Sequence, residues 1–299
     1  MRTAFANWFT KESLINPSMM LLTGDLGYNC FEELSATIGN KFINCGVAEQ
    51  NMVGVAAGLA QQGLVPFCYS IAPFLIYRPY EQIRVDVGLH KLNVKLVGNG
   101  GGYGYGIMGA THHAIEDFAV MSAIPNLKCF IPYCVEDVEI SCHEMSNFYG
   151  PSYLRLGISK YESFQPESGS IIQIHQGNEV TIVGVGALVP MLKFAQAISK
   201  VSCDIFAVRQ IPFDDSIEKI KSSLRRTQKL LIVEEHIRRG GVGELLVTSL
   251  ATERINYSLK HIFAVGYPGG LYGSQNYHQV SSGLNQAAVI EKLKEFCRE

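Results

Sequence analysis

The feature that most narrows what this chain can fold into is an alternation. Short apolar runs bounded by glycine, proline and polar residues recur between segments of helical character. They are SMMLLTGD (18–25), LVPFCYSI (64–71), VKLV (94–97), KCFIP (128–132) and YLRL (153–156), then VTIVGVG (180–186), DIFAVR (204–209), KLLIVEE (229–235) and HIFAVG (261–266). Strands apolar on both faces, joined by helices, form mostly parallel sheets covered on both sides. The reading is therefore an α/β chain made of two consecutive mostly parallel-sheet, three-layer domains. A chain of 299 residues suits about two domains. The stretch FQPESGSIIQIHQGNE (164–179) mixes Pro, Gly, Ser and charge, and it predicts a boundary that gives domains 1–175 and 176–299. Helices are expected over 3–15, within 44–63, over 78–93, from about Ile115 and from about Val135. In the second half they are expected near 188–201, 214–225, 243–253 and 284–296.

Composition removes several function classes. The net charge is −2, with no basic patch or acidic tail, which argues against nucleic acid and against a membrane surface. Residues 1–18 hold no apolar core of signal-peptide length, and no run reaches the ~18 apolar residues of a spanning helix. The eight cysteines are scattered without a CxxC pair, so reduced thiols in a cytoplasmic protein are expected and zinc is not. TGDLGYN (23–29) carries one carboxylate and no further ligands at calcium spacing, so no metal is expected there.

Three constellations carry possible chemistry. The run NCGVAEQNMVGVAAGLAQQG (44–63) places Glu49 at the start of a helix rich in small residues. With Gly46 as the cap, Glu49 would be the third helical residue. It is either a first-turn acid that offsets the helix dipole or a desolvated carboxylate able to share a proton with a ring nitrogen. The segment FCYSIAPFLIYRPYEQIR holds Phe67, Tyr69, Phe74, Tyr77 and Tyr80, which are core residues or a slot for a flat heterocycle. Arg78 within it is a solvated residue or an anion contact. GNGGGYGYGIMGATHH (98–113) follows a strand, so it lies at the carboxyl edge of the sheet where ligands of open α/β folds bind. It lacks a GxGxxG opening a helix and a GxxxxGK[ST], so it is not a phosphate loop. His112 and His113 end it and are candidates for proton transfer or substrate hydrogen bonds. VEEHIRRGGVGE (233–244) reads as a strand end and glycine turn before a helix.

The collinear series GVAEQNMVGVAAGLA, RPYEQIRVDV, GATHHAIEDFAVMSAIPNLKCFIP, PSYLRLG, VTIVGVGA and VEEH…GGVGE resembles the C-terminal half of transketolase. It is also similar to 1-deoxyxylulose-5-phosphate synthase and, more distantly, to the β subunits of 2-oxoacid dehydrogenases. The resemblance implies a thiamine diphosphate pyrimidine-binding domain followed by the transketolase C-terminal domain. It implies that Glu49 hydrogen-bonds N1′ of the aminopyrimidine and favours the tautomer whose 4′-nitrogen removes the C2 proton of the thiazolium. It implies that Phe74, Tyr77 and Tyr69 surround the pyrimidine. His112 would contact substrate oxygen or move protons, with Arg2, Asp25, Arg78 and His113 on the substrate side. The small residues after Glu49 would pack in a subunit interface.

The family's diphosphate-binding domain, with its GDG…N magnesium motif, has no counterpart in this sequence. The resemblance then implies a split enzyme. A separate N-terminal subunit would carry Mg2+ and the diphosphate site in an α2β2 assembly that moves a two-carbon ketol unit between sugars or sugar phosphates. The alternatives are a 2-oxoacid decarboxylase β subunit and a catalytically silent scaffold. Gly100 stands where transketolase has a histidine, Met108 is near a missing aspartate, and Ile158 replaces a phosphate-binding arginine, with Arg155 and Lys160 near it but not equivalent. The expectation from these departures is a roomier pocket at the Gly-rich loop and an acceptor less dependent on a terminal phosphate.

Overall fold

The computed structural model describes residues 1–159, 166–252 and 254–298. The first sheet contains β1 (Met19–Thr23), β2 (Phe42–Asn44), β3 (Val65–Ile71), β4 (Lys95–Asn99), β5 (Lys128–Phe130) and β6 (Ser152–Leu156). The second contains β7 (Ile171–His175), β8 (Val180–Val185), β9 (Cys203–Val208), β11 (Lys229–Glu234) and β12 (Ser258–Phe263). A two-residue strand, β10 (Gln210–Ile211), leaves the second half of the chain and pairs antiparallel with β5. The strand orders are β10-β5-β6-β4-β3-β1-β2 and β12-β11-β8-β9-β7. All pairings are parallel except β10 with β5 and β7 with β9. Two mostly parallel α/β sheets are thus what the apolar runs predicted.

Helices cover both faces of each sheet. On one face of the first sheet, Phe5, Trp8 and Phe9 of the helix Arg2–Ile15 pack with Phe67, Tyr69 and Val97. On the other face, Met52, Val53 and Ala56 of the helix Glu49–Gln61 pack with Leu22, Cys68 and Leu96. β3 therefore divides its residues by the period of two that a pleated strand imposes. Phe67 and Tyr69 point to the first face, and Cys68 and Ser70 to the second.

The boundary expected after residue 175 falls at the end of β7, and β7 pairs with β9 in the second sheet. The first half's own strands end at Leu156. The polar composition that suggested the boundary includes the β7 residues Gln173 and His175, which sit on an edge strand and so tolerate polarity. The helix expected over 78–93 begins earlier, as Ala72–Tyr77, and continues after Pro79 as Tyr80–Gln82 and the wider-wound Ile83–Leu89. Pro79 is the reason for the break, since it donates no backbone hydrogen bond.

Candidate active site

The carboxyl ends of β1 and β3 converge on one side chain. Glu49 is the first residue of its helix, not the third, because Gly46 takes φ +67° and Ala48 is still non-helical at φ −142°. This short turn aims the carboxylate inward, and Glu49 is only 2% exposed. Ser70, at the end of β3, donates its hydroxyl to Oε1 at 3.1 Å. Arg78 donates to Oε2 at 2.7 Å. At Gly24, just past β1, an added Cβ would lie 3.2 Å from Oε1 and 3.4 Å from the Ser70 hydroxyl. A glycine there lets the β1 backbone pass close to the acid.

Phe74 ties this acid to the histidine loop. The Arg78 guanidinium lies over the Phe74 ring, 3.9 Å from its centroid. The His112 ring meets Phe74 edge-on at 4.9 Å between centroids. His112 is half-buried, and its Nδ1 shares a hydrogen bond with the Thr111 hydroxyl at 2.9 Å. Above Glu49, a cleft of about 520 Å³ opens between Val47–Asn51 and Arg78. Among the described residues no group of His, Cys, Asp and Glu could hold a metal.

The remaining expected residues separate into those near this centre and those elsewhere. Asp25, next to Gly24, accepts from Asn44 Nδ2 at 2.9 Å and from the Tyr28 hydroxyl at 3.0 Å. These bonds hold its carboxyl below the usual carboxylate range. Arg2 is exposed in the first turn of its helix. Its charge lies beside the Cys30 thiol, which burial pushes up and Arg2 draws back, and near the Tyr105 hydroxyl. Tyr77 follows Phe74 by one turn and donates to Glu116 Oε2 at 3.2 Å.

Three expectations are corrected. Tyr69 does not face the cleft, because its place in the β3 alternation turns it to the opposite face from Ser70. There it stacks on Phe5 at 6.0 Å and meets Phe31 at 4.7 Å. His113 is not available to a substrate. It is 1% exposed, with Nε2 bonded to Gly106 O at 2.7 Å and Nδ1 to the Tyr267 hydroxyl at 3.0 Å. Burial lowers its basicity, and it ties the loop to the second domain. Arg78 contacts an anion, but that anion is the protein's own Glu49.

The Gly-rich loop is also not roomy in the way its composition suggested. The space at Gly100, where φ is +77°, is filled by the Tyr105 ring, which an added Cβ would meet at 2.2 Å. Tyr105 folds back so that its hydroxyl accepts from Asn99 Nδ2 at 2.8 Å, and its ring lies 5.8 Å from His112. At Gly101 and Gly102 the neighbours are Arg155 and the Glu235 carboxylate. Ser70, Asn99 and Tyr105 are site residues that the sequence reading missed. A serine in an apolar strand gives no signal, and the fold-back of Tyr105 is a property of the turn.

The sequence profile of the transketolase pyrimidine-binding domain matches residues 1–162, and that of the transketolase C-terminal domain matches residues 169–282. One of the subunits of the apulose-4-phosphate transketolase of Phocaeicola vulgatus is 27% identical over 273 residues, covering 87% of this chain and 85% of the relative. The protein of the same name from Actinobacillus succinogenes is 30% identical over 265 residues, covering 84% and 83%. Among solved structures, a split-gene transketolase described as an inactive β4 tetramer superposes with a TM-score of 0.85 at 26% identity, covering 99% of this chain and 97% of that one.

Proposed function

We propose, from the premise that this chain belongs to the transketolase family, of which it carries the pyrimidine-binding and C-terminal domains, that it is one subunit of a two-chain thiamine diphosphate-dependent transketolase. The division between its domains lies in the linker before Ile171. The partner subunit supplies the diphosphate-binding domain and Mg2+, in an α2β2 assembly in the cytoplasm. The substrates are sugars or sugar phosphates, and the relatives named for apulose-4-phosphate support that class. Among the described residues no helix is long and apolar enough to cross a membrane.

The observation that carries this reading is the buried Glu49 carboxylate beneath an open cleft. It fits an aminopyrimidine. One oxygen is fixed by Ser70, the β1 backbone passes close at Gly24, and the Phe74 ring beside it presents the face over which Arg78 lies. Thiamine diphosphate, when bound, supplies the nucleophilic carbon that takes up and passes on a two-carbon ketol unit. Glu49 Oε2, the oxygen that Ser70 leaves free, would be the atom that holds or gives a proton at the ring nitrogen. Phe74 packs the ring, and Tyr77 supports the same helical turn through Glu116. His112, with Nδ1 engaged by Thr111, presents Nε2 for proton exchange with a substrate oxygen. Asp25, next to Gly24, and the exposed Arg2 are the groups assigned to substrate hydroxyls and anions.

The test is reconstitution with the partner chain, thiamine diphosphate and Mg2+. Two-carbon transfer is expected in the complex and not in the lone chain. Glu49→Gln is expected to lower the rate roughly 10²–10⁴-fold, the scale of positioned acid–base catalysis. A silent scaffold would tolerate that change, and activity of the lone chain would overturn the split arrangement. Ile158 is half-exposed and lines a separate polar cavity with Gln275 and Gln279, and Lys160 lies outside the described residues. Activity on unphosphorylated acceptors is therefore expected to approach that on phosphorylated ones, and a strict phosphate requirement would end that part of the reading.

A further inference from the structure

Arg78 meets the buried acid in a specific way. Its guanidinium is flat and cationic, donates an N–H to Glu49 Oε2 at 2.7 Å, and lies 3.9 Å over the Phe74 ring. Those are the two contacts that the proposed reading assigns to the aminopyrimidine ring. A guanidinium and a protonated aminopyrimidine share the planar shape, the N–H donors and the delocalised charge that such a slot selects. We propose that Arg78 is a placeholder for the cofactor's aminopyrimidine. It occupies and orients Glu49 in the unloaded subunit, and it is displaced from both Glu49 and Phe74 when the cofactor enters. The inference rests on the proposed function and adds to it a positioning residue that competes with the cofactor.

The two partners differ in exposure in the sense that displacement requires. The Arg78 side chain is 41% exposed, whereas Glu49's is 1% exposed. Arg78 follows the helix Ala72–Tyr77 at the mouth of the cleft, so its head can turn into water with little desolvation to undo. Glu49 cannot follow, because Ser70 and its place at the helix start hold it. Withdrawal of Arg78 frees Oε2 for a ring nitrogen while Oε1 stays fixed by Ser70. Leaving the same carboxylate bare in the empty subunit would strand a charge in an apolar wall.

The placeholder role makes two measurements move in opposite directions. Arg78→Met should lower the thermal stability of the lone full-length chain, because Glu49 loses its partner. In the reconstituted two-chain complex the same change should tighten thiamine diphosphate binding about tenfold, read by isothermal titration calorimetry with Mg2+ present. Tenfold is the factor recovered when about one molecule in ten has the arginine already out of the way. Arg78→Lys keeps charge but not the flat stacking group, and should give an intermediate affinity in a chain that folds with near-normal stability. A plain structural ion pair predicts unchanged or weaker cofactor binding in both variants, and that result would overturn the inference. Glu49→Gln in the same titration separates the two claims. If it weakens binding while the Arg78 variants do not tighten it, only the placeholder fails. If it leaves binding unchanged, the placement of the cofactor at Glu49 fails, and the placeholder with it.

Discussion

A single carboxylate in an apolar wall depends on the donors around it. Glu49 is kept by Ser70 and Arg78, and each contributes differently. Ser70 is fully buried, so Ser70→Ala leaves Oε1 short of a donor with no water to replace it. The expected cost is about 1–3 kcal/mol of folding stability, the desolvation penalty of an unmatched acceptor, measured by urea unfolding of the lone chain. Glu49, Phe74 and His112, which the structure brings together, are each marked in the sequence by a rare feature. These are an acid in a small-residue helix, aromatics before a helix, and a histidine ending a glycine loop. Tyr69 and His113 look, in sequence, equivalent to the residues beside them. A strand sends Tyr69 and Ser70 to opposite faces, and the turn at Gly109, where φ is +74°, leaves His112 against Phe74 and sends His113 into the interior.

Among the elements, β4 carries an internal cost that pH exposes. Lys95 is fully buried at its start, with Nζ donating to Phe148 O at 2.6 Å and Gly150 O at 3.1 Å. Burial pushes its ammonium down to about 7 from the usual 10.5. The folded value lies below the unfolded one, so between them the unfolded chain holds the extra proton. Stability contributed by Lys95 is therefore lost as pH falls through about 7 and is fully present only above 10.5. Urea unfolding at a series of pH values should show stability rising from neutral pH toward pH 10, and Lys95→Met should flatten that rise. The central strands are legible because burial on both faces makes them apolar without interruption. β2, β7 and β10 are not. They are short edge strands, and an edge strand is free to be polar. The helix at Glu49 starts two residues away from where the sequence places it, since a glycine at positive φ resembles a cap until the turn is seen.

Across the whole molecule, two buried arginines cross the junction between the halves in opposite directions. Arg155, in β6, bonds Asp117 Oδ2 at 3.0 Å and reaches Glu235 O in the second half at 2.8 Å. Arg209, just past β9, bonds Asp137 Oδ1 in the first half at 2.6 Å, with both side chains fully buried. Burial raises the Asp137 carboxyl's affinity for its proton, and Arg209 opposes that. Arg209→Met should cost about 3–5 kcal/mol in chemical unfolding, because it strands Asp137 in a dry interior. Neither arginine announces itself in the sequence, since each has a partner many residues away in the other half, Glu235 O for Arg155 and Asp137 for Arg209. The short strand β10 gives the same junction a topological character. The second half lends a rung to the first half's ladder, through Gln210 with Phe130 and Ile211 with Cys129. A protease cut anywhere between Leu156 and Ile171 should then yield a nicked protein whose fragments co-elute under native conditions and part only in denaturant. Expressed alone, the first lobe would carry β5 with a bare, sticky margin ready to recruit a stray strand, so the two lobes behave as one inseparable piece.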